Sequence, residues 1–293
     1  MNVTLGKIIT AIALTTSVFC TGQEEAMEIA RGRMRTECRH RGIGRIRTYD
    51  IKSADIPEEF EGFRICYVTD THYASRFTKR TLESVREVLQ ELSPDMMLLG
   101  GDYQEGCEYV EPMMECLTSS RPVYGSYAVL GNNDYERCTE EIKESMARNG
   151  ITLVEDSVVR IEREGGHINI GGAHNTFGRR EKSPSPTLSI DEKEFVILLT
   201  HTPDYAEDQD IKGTDLALAG HTHGGQVTLF GIWAPKTASH YGQRFLRGVN
   251  YNSAGIPVIT SNGIGTSRVA IRMFAKSEII LITLHTKKRC ETK

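Results

Sequence analysis

From Phe63 onward, short apolar runs alternate with stretches whose apolar residues recur every three or four positions. "FRICYVTD" has the pattern of a buried strand that closes on polar residues. "TKRTLESVREVLQEL" then spaces Leu82, Val85, Val88, Leu89 and Leu92 along one helical face. "DMMLLGGD" predicts a second strand, and "EPMMECLTSS" a helix with Pro112 in its first turn. "GSYAVLGNND" predicts a third strand, and "EEIKESMARN" a helix stopped by Gly150.

The second half is richer in strands. "ITLVED", "VVRIER" and "HINIGGAH" follow one another across short turns, then "EFVILLTH", "DLALAGH", "GQVTLF", "IPVIT" and "EIILITLH". Strand–helix alternation predicts an α/β fold with at least one mostly parallel sheet, and the later strands predict a second sheet packed alongside. "RREKSPSPTL" predicts an exposed loop; no internal repeat and no linker after residue 60 divides the chain.

The predicted strands end in one kind of chemistry. "CYVTDTH" supplies Asp70 and His72, "LLGGD" Asp102, "AVLGNND" Asn132, "ILLTH" His201, and "LALAGHTH" His221 and His223. Ligands of open α/β sheets bind beyond the carboxyl ends of the strands, so these side chains could converge. Imidazoles, carboxylates and one amide oxygen suit a divalent ion such as Mn, Fe or Zn. In Asp-x-His and His-x-His the two donors share one side of an extended backbone. Singly, each pair is a common accident, Asn132 a turn residue and Asp134 a helix cap. Together the donors match what two ions need, with one carboxylate bridging.

Composition adds little to this picture. The 293 residues are 39% hydrophobic and 25% charged, with a net charge of -4, an ordinary globular balance that gives no reason to expect a nucleic-acid partner. The amino terminus is distinctive. Lys7 precedes "IITAIALTTSVF", too short to cross a bilayer, which takes roughly 20 residues, but fitted to the apolar region of a secretory signal. Export is therefore expected, to a periplasmic or membrane-anchored position, and Cys20 would allow lipid attachment. Phe19 is bulky for the residue before a cleavage site. The arginine-rich stretch from Arg31 to Arg47 is a solvated linker or a contact for an anionic membrane surface. Six further cysteines, Cys38, Cys66, Cys107, Cys116, Cys138 and Cys290, permit disulfides without metal-type spacing. Cys66 fits a strand core, and Cys107 and Cys116 are near enough in sequence to pair.

In order and spacing, "DTH", "GGD", "GNND", "THTPD" and "GHTHGGQ" resemble the metal-binding motifs of calcineurin-like metallophosphoesterases. The resemblance runs from about Arg45 to His285, and "AGHTHGGQ" with "SNGIGTSRVAIR" is similar to a bacterial exported or membrane-associated branch. It implies a four-layer α/β/β/α sandwich and a phosphoesterase whose two ions activate the attacking water; a phosphodiester or pyrophosphate substrate is expected, and the basic segment and possible anchor favour a lipid-linked one. The resemblance places Asp70, His72 and His223 on one ion and Asn132, His201 and His221 on the other, with Asp102 bridging. The implied layout is a signal or anchor over 1–20, a basic linker over 21–44, a metallophosphoesterase domain over 45–285 and a basic tail over 286–293.

One position departs from the pattern. Asn133 stands where the family has a histidine thought to contact phosphate and protonate the leaving oxygen, while the usual orienting acid is present as Asp134. An asparagine can donate a hydrogen bond but cannot deliver a proton. An enzyme favouring good leaving groups, or a slow diesterase, is expected; the alternative is a non-catalytic metal- or phosphate-binding protein. His174, at another strand end, is a substitute proton donor or a surface histidine, and Arg179 and Arg180 are a second phosphate contact or solvated.

Overall fold

A computed structural model describes residues 27–31, 42–74, 78–174 and 183–287. The segment carrying Cys20, most of the arginine-rich stretch, Arg179, Arg180 and the tail beyond residue 287 lie outside the described residues. Among the described residues, no helix is long and apolar enough to cross a membrane.

Two sheets carry the domain. Strands β1 (Glu28–Arg31), β2 (Arg45–Ser53), β3 (Arg64–Val68), β4 (Met96–Leu99), β5 (Ser126–Ala128) and β6 (Ile151–Leu153) join the last strand, β13 (Glu278–Thr286), in the order β1-β2-β13-β3-β4-β5-β6. Strands β7 (Ser157–Arg163), β8 (Gly166–Gly172), β9 (Val196–Leu199), β10 (Leu216–Ala219), β11 (Gly248–Tyr251) and β12 (Pro257–Thr260) form the second, in the order β11-β12-β10-β9-β8-β7. The central strands are parallel: β3, β4, β5 and β6 in one sheet, and β8, β9, β10 and β12 in the other.

Period-two alternation sorts each strand between two cores. Ile65 and Tyr67 of β3, Ile197 and Leu199 of β9, and Ile280 and Ile282 of β13 fill the space between the sheets. Cys66, Val68 and Leu281 face outward into a helical layer. The helices are α1 (Lys79–Leu92), α2 (Val110–Leu117), α3 (Asn132–Glu136), α4 (Thr139–Arg148) and α5 (Tyr205–Asp208). The five apolar residues predicted for the face of α1 are all buried in that layer. Burying each contributes about 1.5–3 kcal/mol, and Thr78 makes no capping bond with its side chain. Packing therefore holds α1. Leu198, Ala217 and Ala219 face the opposite way, under α5 and irregular chain that includes Phe245. The fold is thus the expected α/β/β/α arrangement, with a thin fourth layer.

Three local expectations change. "GQVTLF" is not a strand: Val227 makes only isolated bridges to Met273 and Phe274, after left-handed Gly224, Gly225 and Gln226 turn the chain away. The end of the arginine-rich stretch is folded, because β2 pairs parallel with β13. Arg45 and Arg47 donate to the buried carboxylate of Glu278, at 2.5 and 3.0 Å. Glu28–Arg31, inside the stretch assigned as linker, pairs antiparallel with β2.

Cys107 pairs with Cys138, not with Cys116. Cys116 is buried in the helical layer, its thiol donating to the Leu82 carbonyl at 3.3 Å. The disulfide joins the loop after β4 to the residue preceding α4, across a sequence separation of 31. Loop-closure entropy for that span corresponds to about 3–4 kcal/mol. Thermal melts of the Cys107→Ser, Cys138→Ser double variant should show a loss of that size, and reductant should lower the melting temperature of the parent but not of the variant.

Candidate metal centre

The polar residues singled out at the strand ends do converge. Asp70 and His72 follow β3, Asp102 follows β4, Asn132 opens α3 after β5, His201 follows β9, and His221 and His223 follow β10. Among the described residues, two groups of ligand-type side chains form, Asp70–His72–His223 and Asp102–His201–His221, each with its candidate atoms within 4.8 Å of one another and all six residues buried. Asp102 lies between the groups: its Oδ2 is 3.4 Å from His72 Nε2 and 3.3 Å from His201 Nε2.

The loops reach this geometry through unusual backbone. Asp70, His72, Asp102, His221 and His223 all have positive φ, between 40° and 66°. Left-handed conformations of residues with a Cβ cost on the order of 1–3 kcal/mol each and persist where surrounding contacts enforce them. Glycine makes the approach of the loops possible. A Cβ on Gly131 would lie 2.1 Å from Asp102 Oδ1, and one on Gly220 would lie 2.2 Å from Asp70 Oδ2.

Hydrogen bonds fix the orientation of the rings. His201 Nδ1 lies 2.7 Å from the Gly100 carbonyl, which leaves Nε2 toward Asp102. His72 Nδ1 lies 2.7 Å from the Glu105 carboxylate, which leaves Nε2 facing the cluster. His221 Nδ1 is 3.2 Å from His201 Nε2, and His223 Nε2 is 3.4 Å from Asp70 Oδ1. The buried side-chain atoms without a hydrogen-bond partner include His72 Nε2 and Asn132 Oδ1. A buried polar atom without a partner costs about 1–3 kcal/mol; the Asn132 oxygen, and the His72 nitrogen once its ring is neutral, are lone-pair donors of the kind a divalent ion takes. The donor set fits metal ions.

Burial and mutual charge divide the protons unevenly. Burial lowers the affinity of His72 and His201 for protons, but the neighbouring carboxylates outweigh it, Asp102 above all. They raise His72 to about 10 and His201 to about 9. For Asp102, burial favours the neutral form, yet His201 and His72 hold the carboxyl well below its ordinary range. His221 is lowered to about 3 by burial and by the charge of His201, and His223 well below its ordinary value by burial, His72 and Arg272.

The "GNND" segment is wired into Asp102. Asn133 donates to it twice, from its backbone N–H to Oδ1 at 2.9 Å and from Nδ2 to Oδ2 at 2.6 Å. Asp134 is buried; its carboxylate accepts the backbone N–H groups of Gly131, Asp102 and Tyr103 at 2.8, 2.7 and 3.0 Å. It caps α3 and pins the loop after β4, and these bonds go to backbone instead of the Asn133 side chain. Burial and the nearby Asp102 raise it to about 7.

A cleft of about 620 Å³ opens over the cluster, lined among others by Asp102, Asn132, Asn133, His221 and His223. Arg137, Lys236 and Arg268 bring positive charge to its wall. His174 is not among the lining residues: its Nδ1 lies 2.9 Å from the hydroxyl of Tyr135, which also bonds Glu155. Two residues with roles here escaped the sequence reading. Glu105 orients His72 from three positions beyond Asp102. Arg272 donates to the carbonyls of Asn262 and Gly265, each at 2.6 Å, and of His223 at 3.1 Å, holding the "SNGIGTS" loop against the site. Only the resemblance of that segment hinted at a role.

Comparison with known proteins identifies the family. The family model for calcineurin-like phosphoesterases matches residues 63–225. The Bacillus subtilis uncharacterized metallophosphoesterase YkuE is 27% identical, over 80% of this chain and 84% of its own. An uncharacterized metallophosphoesterase of Aquifex aeolicus is 25% identical, over 83% and 92%. A Danio rerio transmembrane protein with a metallophosphoesterase domain is 26% identical, over 80% of this chain and 56% of its own. Among solved structures, a dimetal phosphatase from Danio rerio covers 77% of this chain and 93% of its own, at 10% identity and a TM-score of 0.43. The family match takes in more than half of the chain and every one of the converging side chains, and the chain belongs to the calcineurin-like phosphoesterases, metal-dependent hydrolases of phosphoesters.

Proposed function

We propose that the chain hydrolyses a phosphodiester or diphosphate bond with two divalent ions, Asp70, His72 and His223 holding one and Asn132, His201 and His221 the other, with Asp102 shared. The observation that carries this reading is the position of Asp102 Oδ2, within 3.4 Å of a histidine from each group. Bound ions would supply Lewis acidity and an activated water nucleophile. The protein's own groups do the rest. Asn133 holds the shared carboxylate in place and, lining the cleft, can donate a hydrogen bond to a phosphoryl oxygen. Arg137, Lys236 and Arg268 attract the phosphate charge. Asn133 stands at the position where the family resemblance expects the proton-donating histidine, so substrates with good leaving groups are favoured.

Action outside the cytoplasm, on a lipid-linked phosphate at a membrane surface, completes the proposal. It is supported by the secretory-type apolar segment and by the Cys107–Cys138 disulfide, since disulfides persist in oxidising compartments.

Hydrolysis of bis(p-nitrophenyl) phosphate by the purified chain with added Mn, alongside its metal content, tests the enzyme. Bound metal without turnover of any activated substrate would instead favour the non-catalytic alternative. Asn133→His should raise the rate on alkyl phosphodiesters by about 10²-fold or more, the usual worth of general-acid help; no gain at unchanged metal content would sink the leaving-group argument. Glu105→Gln should weaken Mn binding about 10–100-fold, because the partner of a ligating histidine sets its orientation and basicity.

Metal binding should also release protons. His72 and His201 are raised to about 10 and about 9, so both are protonated at neutral pH, and ligation requires the neutral ring. Apparent metal affinity therefore rises with pH. Calorimetric titration with Mn in buffers of different protonation enthalpy should show net proton release; heats independent of buffer would contradict it.

A further inference from the structure

Between Asp215 and Glu278 the chain has no acidic side chain, although it carries 39 in all, while Lys236, Arg244, Arg247, Arg268, Arg272 and Lys276 fall in that interval. Two of its segments lie side by side at the mouth of the cleft. Thr228 N–H donates to the Met273 carbonyl at 3.0 Å and Met273 N–H to the Gln226 carbonyl at 2.9 Å. The Gln226 amide joins Ser267 and Val269, at 2.9 to 3.1 Å.

These paired segments display what a folded chain ordinarily hides. Phe230, Ile232 and Trp233 on one, and Val269, Ile271 and Phe274 on the other, are each more than half exposed. Phe230 and Phe274 meet at 6.1 Å between ring centroids. Among the described residues, every exposed large apolar side chain belongs to these two segments, apart from Val123, Leu188 and Tyr251. A contiguous apolar surface of this kind marks an interaction site. It is continuous with the cleft, because Val227, Lys236, Arg268 and Val269 line both.

We propose that this face docks on an anionic lipid bilayer and seats the cleft at the membrane surface. Protruding aromatic and aliphatic side chains enter the headgroup and acyl boundary, and the exposed Lys236, Arg268 and Lys276 meet anionic headgroups. The two segments themselves carry no carboxylate, so they bring no negative charge of their own against such a surface. A second copy of the chain is a poor occupant, because a two-fold contact here would set these cations against their equivalents. On the proposed phosphoesterase reading, the phosphate of an amphiphile lying in the bilayer would enter between Lys236 and Arg268.

Trp233 is the only tryptophan of the chain, so its emission reports this face alone, whatever the amino-terminal segment does. With the full chain and vesicles of equal parts phosphatidylglycerol and phosphatidylcholine, the emission should shift to the blue and be quenched by brominated acyl chains. Phe230→Ser with Ile271→Ser should reduce partitioning about tenfold or more, and Lys276→Ala about fivefold. The Phe230→Ser, Ile271→Ser variant should leave hydrolysis of soluble bis(p-nitrophenyl) phosphate unchanged. Vesicle sedimentation with the emission of a water-exposed indole would place the anchor elsewhere and overturn the proposal. So would a blue shift that follows protein concentration without lipid, which would mark a copy–copy contact, or one produced only by an acidic protein. Turnover of the soluble diester, measured separately, decides the enzymatic reading without touching this one.

Discussion

Asp102 is a buried carboxylate on which two loops from each sheet converge. A buried charge is tolerated only when paired and hydrogen-bonded, and here the requirement shapes the surroundings. Asn133 donates to Asp102 twice, His72 and His201 approach it from opposite groups, and Asp134 holds its backbone N–H. The glycine at 131 leaves room for the carboxylate, and the start of α3 is built around it. The ends of β3, β4, β5, β9 and β10 are positioned by one electrostatic demand.

That demand is met at a cost in backbone strain, offset elsewhere. Five of the clustered side chains sit on residues with positive φ, a conformation none would adopt alone. What holds them is the dense layer between the sheets, where Ile65, Tyr67, Leu98, Ile197, Leu199 and Ile282 are fully buried. The Cys107–Cys138 disulfide and Arg272 act nearer the site. The first ties the Glu105 loop to the end of the Asn133 helix region, and the second fastens the loop after β12 to His223. Rigid sheets and cross-tied loops together keep basic and acidic side chains buried in close contact.

The same loops face two ways. The chain leaving β10 supplies His221 and His223 inward, then within a few residues presents Phe230, Ile232 and Trp233 to solvent. The chain leaving β12 holds Arg272 against the site and exposes Ile271 and Phe274 beside it. Neither segment is a regular strand, which explains why "GQVTLF" misled: its apolar residues are spaced for a sheet but serve a surface.

The sequence by itself determined the elements whose cause is local. The helical face of α1, the strand cores, the stop at Gly150 and the donor types at the strand ends follow from periodicity and residue chemistry within a few positions. So did the departure at Asn133, visible as a missing proton donor. Only the tertiary structure decided what depends on distant partners. The arginines of β2 looked solvated because the carboxylate that satisfies them, Glu278, is more than two hundred residues away in sequence. Cys107 chose Cys138 over the nearer Cys116 because packing turned Cys116 into the helical core. Glu105 became the partner of His72, and Asp134 the anchor of backbone instead of Asn133, because two loops meet in space. Side-chain chemistry is written residue by residue, whereas pairing is set by which surfaces the two sheets bring together.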